Sequence, residues 1–159
     1  MQNILIVGMC GSGKTWVMKR LIERFNLCIL GRVGLIYFHR NEKVLVTGVY
    51  NGSTFEGSDR LSMAVMASVP KLKAYLEEHP RVVVSEGDRF MNATYMAAML
   101  PYVVRITDTG EEGRKKRGSN QSDRQIKSIA TRVAKVRADI EVVDSNEALK
   151  VIVKLCGRA

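Results

Sequence analysis

The stretch VGMCGSGKTW, Val7 to Trp16, follows the apolar run QNILIV, which is short enough for a buried strand and ends at Gly8. Gly8-x-x-x-x-Gly13-Lys14-Thr15 fits the phosphate-loop pattern. Its glycines, Gly8, Gly11 and Gly13, let backbone N–H groups turn inward around phosphate oxygens with no Cβ in the way. Lys14 is suited to put an ammonium on the β and γ phosphates, and Thr15 to offer its hydroxyl to Mg²⁺. A helix starting near Gly13 would aim its positive end at the anion. Ser12 and Trp16 complete the candidate nucleotide contacts, and the expected cofactors are ATP and Mg²⁺.

Around this loop the chain has 159 residues, the size of one domain with a real core, and residues 1–159 are read as one unit. It contains no run of eighteen apolar residues and no charged leader with a cleavage site, so the expectation is a soluble intracellular protein without a membrane partner. Cys10, Cys28 and Cys156 are odd in number and widely spaced, which suits neither a disulfide framework nor a metal cluster. His39 and His79 stand apart, and no Ser-His-Asp arrangement competes with the phosphate loop.

The remaining elements alternate. A helix is predicted from Lys14 to Phe25, then an antiparallel hairpin in GLIYFHRNEKVLVTGVY around the polar turn Arg40–Lys43. RLSMAVMASVPKLKAYLEEH has helical spacing, with Pro70 predicted to break or kink it near the middle. RVVVSEGD and YVVRIT read as buried strands, with a helix in FMNATYMAAML between them that ends before Pro101. A short strand, IEVV, precedes a last helix from about Asn146 to Leu155, with Ser145 as its N-cap. This order predicts an α/β fold, a mainly parallel sheet covered on both faces.

In such a sheet, ligands gather beyond the carboxyl ends of the strands. Two further stretches stand there. In FEGSDRLS, Asp59 is a candidate general base or, alternatively, an N-capping acid, and Arg60 is a candidate grip for an acceptor phosphate, as is Arg89. In SEGDRF, Glu86 and Asp88 are candidates to organise Mg²⁺. They share a face if the strand runs on and separate if Gly87 turns the chain. Lys14, Asp59, Arg60 and Asp88 form the expected catalytic set.

The net charge is +9, and most of it lies between Glu111 and Arg137, where nine Lys or Arg residues face three acids. On a helix from near Gln121, Ile126, Ile129, Val133 and Val136 fall on one face, with Arg124, Lys127, Arg132 and Lys135 over the rest. Arg114 and Arg117 are read as lid contacts to ATP. Lys115, Lys116, Arg124 and Lys127 exceed what one nucleotide needs and are read as contacts to DNA phosphates. Tyr50 and Phe55 are candidates to stack on a flipped or single-stranded base.

These residues resemble the small P-loop kinases of the nucleoside monophosphate and polynucleotide kinase type, over most of the chain. GMCGSGKTW is similar to their phosphate loop, and GDRF to the Asp-Arg-aromatic motif of thymidylate-type kinases. Asp59 and Arg60 stand where polynucleotide kinases carry a catalytic Asp, and EVVDSNEALKVIVKL looks like the last strand and helix of these folds. RKKRGSNQSDRQIKSIATRVAKV, beside YNGSTFEGSDRLS, resembles bacteriophage kinases that phosphorylate 5-hydroxymethyluracil within DNA. Two departures stand out: a hairpin replaces the plain second strand and helix, and Asp59 has no acid immediately beside it.

The resemblance implies a P-loop NTPase-type three-layer sandwich with an added hairpin and a basic lid at residues 110–138. It also implies a phosphotransferase acting on an alcohol group, at work in the cytoplasm of an infected bacterium. Its expected partner is DNA containing a hydroxymethylated pyrimidine. A deoxynucleoside monophosphate kinase and a nucleotide-gated nucleic-acid-binding ATPase are the alternatives.

Overall fold

The computed structural model describes residues 2–52 and 56–157. Strand β1 (Asn3–Gly8) lies inside the sheet because NILIV is apolar at every second position on both sides: Ile4 and Ile6 face one way, Leu5 and Val7 the other, and all four are fully buried. The other strands, in chain order, are β2 (Ile29–Val33), β3 (Ile36–Arg40), β4 (Val44–Thr47), β5 (Val82–Glu86), β6 (Tyr102–Ile106) and β7 (Ile140–Val142). Their order in the sheet is β2-β3-β4-β5-β1-β6-β7. β1 pairs in parallel with β5 and β6, β4 with β5, and β6 with β7, while β3 runs antiparallel to both β2 and β4.

Helices cover both faces. α1 (Lys14–Arg24) and α6 (Ser145–Cys156) bring Val17, Met18, Leu21 and Ile152 onto Ile4 and Ile6. α2 (Val69–Glu78) and α3 (Ala93–Met99) bring Leu72, Leu76, Tyr95 and Met99 onto Leu5 and Val7. The basic segment forms α4 (Glu111–Lys116) and α5 (Asp123–Lys135). On α5, Ile129 and Val133 are buried and Ile126 and Val136 half-buried. No helix among the described residues is long and apolar enough to cross a membrane.

Two local expectations are corrected and a third is refined. The break expected at Pro70 falls just before it: a 3-10 segment, Met63–Ser68, gives way to α2, and Pro70 sits in the opening turn of α2. A missing N–H costs nothing there, because the first turn has no carbonyl partner for it. The N-cap of α6 is Asp144, whose Oδ1 accepts from the Asn146 and Glu147 amides at 2.8 and 2.9 Å; Ser145 is the first helical residue. Strand β2 was not foreseen. Its sequence, ILGRV, shows no alternation, and Gly31 is required because a Cβ would run into the Phe38 ring on β3.

The parallel strands end on one side, and the segments after β1, β4, β5 and β6 converge there. Beneath them a buried polar chain ties β4, β5 and α3: Thr47 Oγ1 donates to Ser85 Oγ at 2.9 Å, and Ser85 Oγ meets the Tyr95 hydroxyl at 2.8 Å. Burial pushes the Tyr95 phenol up to about 12, so it stays a neutral partner. Tyr95→Phe is expected to destabilise the protein by about 1–2 kcal/mol. Urea unfolding should show a lower midpoint at an unchanged slope.

Candidate functional site

The connection from β1 to α1 is made of backbone more than side chains. Gly11 and Gly13 have φ of 87° and 91°, a conformation that favours glycine. A Cβ on Gly13 would stand 2.7 Å from Ser145 Cβ at the start of α6. Gly13 caps α1 without any side-chain bond, so the first amides of the helix remain open at its positive end. The Lys14 ammonium folds back to donate to the Gly8 and Met9 carbonyls, at 2.9 and 2.8 Å. Ser12 is buried, and its hydroxyl has no partner among the described residues. Amides, an ammonium and a hydroxyl without a described partner are the kind of donor set that an anion would need.

The loop is held from outside by a second glycine pair. Gly110 (φ 72°) and Gly113 press on it so closely that a Cβ on Gly110 would overlap the Cys10 carbonyl, and one on Gly113 the Gly11 carbonyl. Arg114, expected to contact the nucleotide, instead gives Nη1 to the carbonyls of Cys10 (2.8 Å) and Thr109 (2.7 Å). Successive residues of α4 turn by about 100°, which divides the basic run. Lys116 and Arg117 line the cavity beside the loop, whereas Lys115 points away and pairs with Glu111 at 2.7 Å. Lys116, read from sequence as a DNA contact, is therefore a cavity residue.

Across a cavity of about 730 Å³ from the loop stand the acids. Glu86 ends β5 and is buried. Its Oε1 accepts from Thr15 Oγ1 at 3.4 Å and from the Tyr50 hydroxyl at 3.3 Å, and a Cβ on Gly57 would overlap it. Burial pushes the Glu86 carboxyl above the usual carboxylate range; the Lys14 ammonium works against that shift, and the Asp59 carboxylate adds to it. Burial, reinforced by the Glu86 charge, pushes the Tyr50 phenol well up, so it serves as a neutral donor.

Gly87 has φ 82° and turns the chain, so Glu86 and Asp88 part. Asp88 Oδ2 meets Arg132 on α5 at 2.7 Å, and its Oδ1 is buried with no partner among the described residues. Asp59, on the 3-10 turn Ser58–Arg60, is exposed and lines the same cavity. Gly57 occupies the N-cap position, so Asp59 does not cap that turn. Arg60 is exposed beside it, and neither Arg60 nor Arg89 is among the described residues that line the cavity.

Thr15 and Glu86 offer hard oxygen ligands, which fit a Mg²⁺ ion. No group of three His, Cys, Asp or Glu residues suited to a metal occurs among the described residues. Such an ion would thus complete its octahedron with water and phosphate oxygens, as Mg²⁺ prefers.

The structure brings Gly8, Gly11, Gly13, Lys14, Thr15, Trp16, Asp59, Glu86 and Asp88 around one cavity. It keeps Arg114 on the loop backbone and Lys115 outside, and Lys127 lines neither this cavity nor a smaller one on α5. Phe55 lies outside the described residues. Sequence reading missed Glu56, which lines the cavity and bonds Lys19 at 2.9 Å. Burial opposes the Glu56 charge, but Lys19 and the Gly52 and Asn51 amides outweigh it and hold the carboxyl below its ordinary value. It also missed the supporting roles of Tyr50, Gly57, Gly110 and Gly113. For the last pair a signal existed, two glycines three apart at a helix start. No protein-family model matches the chain, and no curated protein is similar to it.

Gly113→Ala forces a methyl group into the Gly11 carbonyl and is expected to cost about 1–3 kcal/mol, as overpacking does. Thermal unfolding checks this. Ser119→Ala, on the exposed connection beyond α4, should stay within about 0.5 kcal/mol of wild type.

Proposed function

We propose that the protein is an ATP- and Mg²⁺-dependent kinase that phosphorylates the hydroxymethyl group of 5-hydroxymethyluracil in DNA. One observation carries this reading: a single cavity joins the glycine loop and Lys14 on one side to Thr15, Glu86 and Asp59 on the other. In it the loop amides and Lys14 hold the triphosphate, with Lys116 and Arg117 beside them. Thr15 and Glu86 hold Mg²⁺, which when bound neutralises charge on the phosphates.

The acceptor oxygen attacks the γ phosphorus, the bond from γ phosphorus to the bridging oxygen breaks, and ADP leaves. Asp59 takes the proton released by the hydroxyl. Its exposure at the cavity edge suits a base that must meet an acceptor arriving from solvent. Tyr50 and Thr15 keep Glu86 aimed at the cavity, a positioning duty distinct from the proton transfer.

The far side of the cavity also favours an uncharged acceptor group. Glu56, Asp59 and Asp88 line it, whereas Arg60 and Arg89 do not. A nucleoside monophosphate would bring its own anionic phosphate to a wall of carboxylates on which Glu56 is paired with Lys19 and Asp88 with Arg132, so the repulsion it meets is modest. A hydroxymethyl group on a base meets no such cost, and the basic surface of α5 supplies the attraction for the polymer that carries it. This reading agrees with the resemblance to bacteriophage DNA-base kinases and implies work in the cytoplasm of an infected bacterium.

Incubation with Mg²⁺ and γ-labelled ATP, offering free deoxynucleotides, ordinary DNA and DNA containing 5-hydroxymethyluracil in parallel, should label only the last. Label on free monophosphates would replace this reading with a monophosphate kinase, and phosphate release without any acceptor would replace it with an ATPase. Lys14→Ala should abolish transfer in a folded protein. Asp59→Asn should slow single-turnover transfer by about 10²-fold or more with ATP affinity retained; an unchanged rate would remove Asp59 as the base. Tyr50→Phe should raise the Mg²⁺ concentration needed for half-maximal rate by several-fold and leave Mg²⁺-free nucleotide binding as it was.

A further inference from the structure

A second cavity, of about 340 Å³, lies along α5 and is lined by Gln121, Arg124, Gln125, Ser128, Ile129 and Arg132. At roughly 100° per residue the five that lie on the helix, from Arg124 to Arg132, fall within about 140° of one another, and Gln121 precedes the Ser122 N-cap. Arg124, Ser128 and Arg132 are spaced four apart and stack in one row, with Gln125 beside it. The buried stripe of Ile129 and Val133 borders this arc and fixes which way it faces.

The chemistry of this groove is that of donors. It presents two guanidiniums, one hydroxyl and two amides, and no carboxylate among its described lining residues. Arg132 gives one nitrogen to Asp88 at 2.7 Å, which leaves further N–H groups of its five for a ligand. Gln125 uses its Oε1 on the Ser122 amide, which turns its NH₂ outward as a donor. Gln121 Nε2 rests on Cys10 Sγ at 3.4 Å, joining the groove to the glycine loop. Ile129 lines both cavities, and the Arg132–Asp88 pair runs from one to the other. The groove therefore continues the acceptor side of the larger cavity.

We propose that this groove is a subsite for the phosphodiester backbone of the acceptor strand, with Arg124, Ser128 and Arg132 contacting the phosphates that flank the reacting base. The proposal rests on the DNA-kinase reading and refines it, because it moves the polymer contact from Lys115 and Lys127 to one row of α5. A planar guanidinium fork suits a phosphate, and the hydroxyl of Ser128 lies between two such forks. A strand seated here would have one base turned toward Asp59 while its neighbouring phosphates lie on α5.

The test is binding, so it does not depend on turnover. Fluorescence anisotropy of a labelled single-stranded oligonucleotide containing 5-hydroxymethyluracil is followed across a salt series. Arg124→Ala should weaken binding several-fold and flatten the log-log salt slope by about 0.7, one phosphate contact on a single strand. Ser128→Glu, which puts a carboxylate between the two arginines, should weaken it at least tenfold. Lys73→Ala, which removes an exposed cation of α2 outside both cavities, should leave affinity and slope as in wild type. Affinity for a fluorescent ATP analogue should be the same in all four proteins.

Unchanged DNA binding in Arg124→Ala and Ser128→Glu would overturn the subsite while leaving a DNA kinase intact. An equal loss in Lys73→Ala would show diffuse attraction and also overturn it. Lost ATP affinity in the α5 variants would reassign the groove to the nucleotide. If the wild-type protein binds no DNA even at low salt, the polymer reading itself falls.

Discussion

The contact on which the site depends is one between backbones. Gly11, in the connection after the first strand, meets Gly110 and Gly113, which follow the sixth, with no side chain between them. Van der Waals contact at such range leaves a loop little freedom. It sets the path of residues 9–13, and through the Arg114 bonds to the Cys10 and Thr109 carbonyls it sets the start of α4 as well. The direction of Lys116 and Arg117 follows from that start. The Gln121 contact with Cys10 carries the same anchoring on to α5.

Charge is distributed around this frame in two halves. Cations and open amides gather on the glycine-loop side of the cavity, and Glu56, Asp59, Glu86 and Asp88 gather opposite. Glu86 is the costly member, a buried carboxyl. It is kept in place by the Tyr50 and Thr15 hydroxyls and by the Lys14 charge, with Gly57 leaving room for its oxygen. Removing water from such a divided cavity strengthens the electrostatics of both halves.

Much of this was legible in the residues. The apolar runs before Gly8 and around Val82–Val84 are strands because a continuous apolar run suits a sheet covered on both faces, and the glycine pattern fixed the strand-loop-helix order at the amino end. The Ile129–Val133 stripe of α5 also follows from spacing. The rest depended on partners distant in sequence. Strand β2 exists because β3 offers it an edge, and nothing in ILGRV announces that. Four consecutive basic residues look alike in sequence, yet helical rotation and the glycine contact send Arg114, Lys115 and Lys116 to three different tasks. Asp88, read as a metal ligand, is also paired with Arg132 from another helix, which no spacing announces. The phenol of Tyr50, read as a stacking surface, also places its hydroxyl on Glu86.

The packing of Gly13 against Ser145 has a consequence for how the protein folds. In chain order β5 and β6, which hold the strand before the glycine loop, lie some eighty to a hundred positions after it, and the wall that Gly13 touches is later still. Such non-local pairing is slow to form. The loop therefore takes its shape only once those distant partners have paired and α6 has docked beside Gly13. Any ligand that fitted the assembled cavity would stabilise the whole fold by mass action.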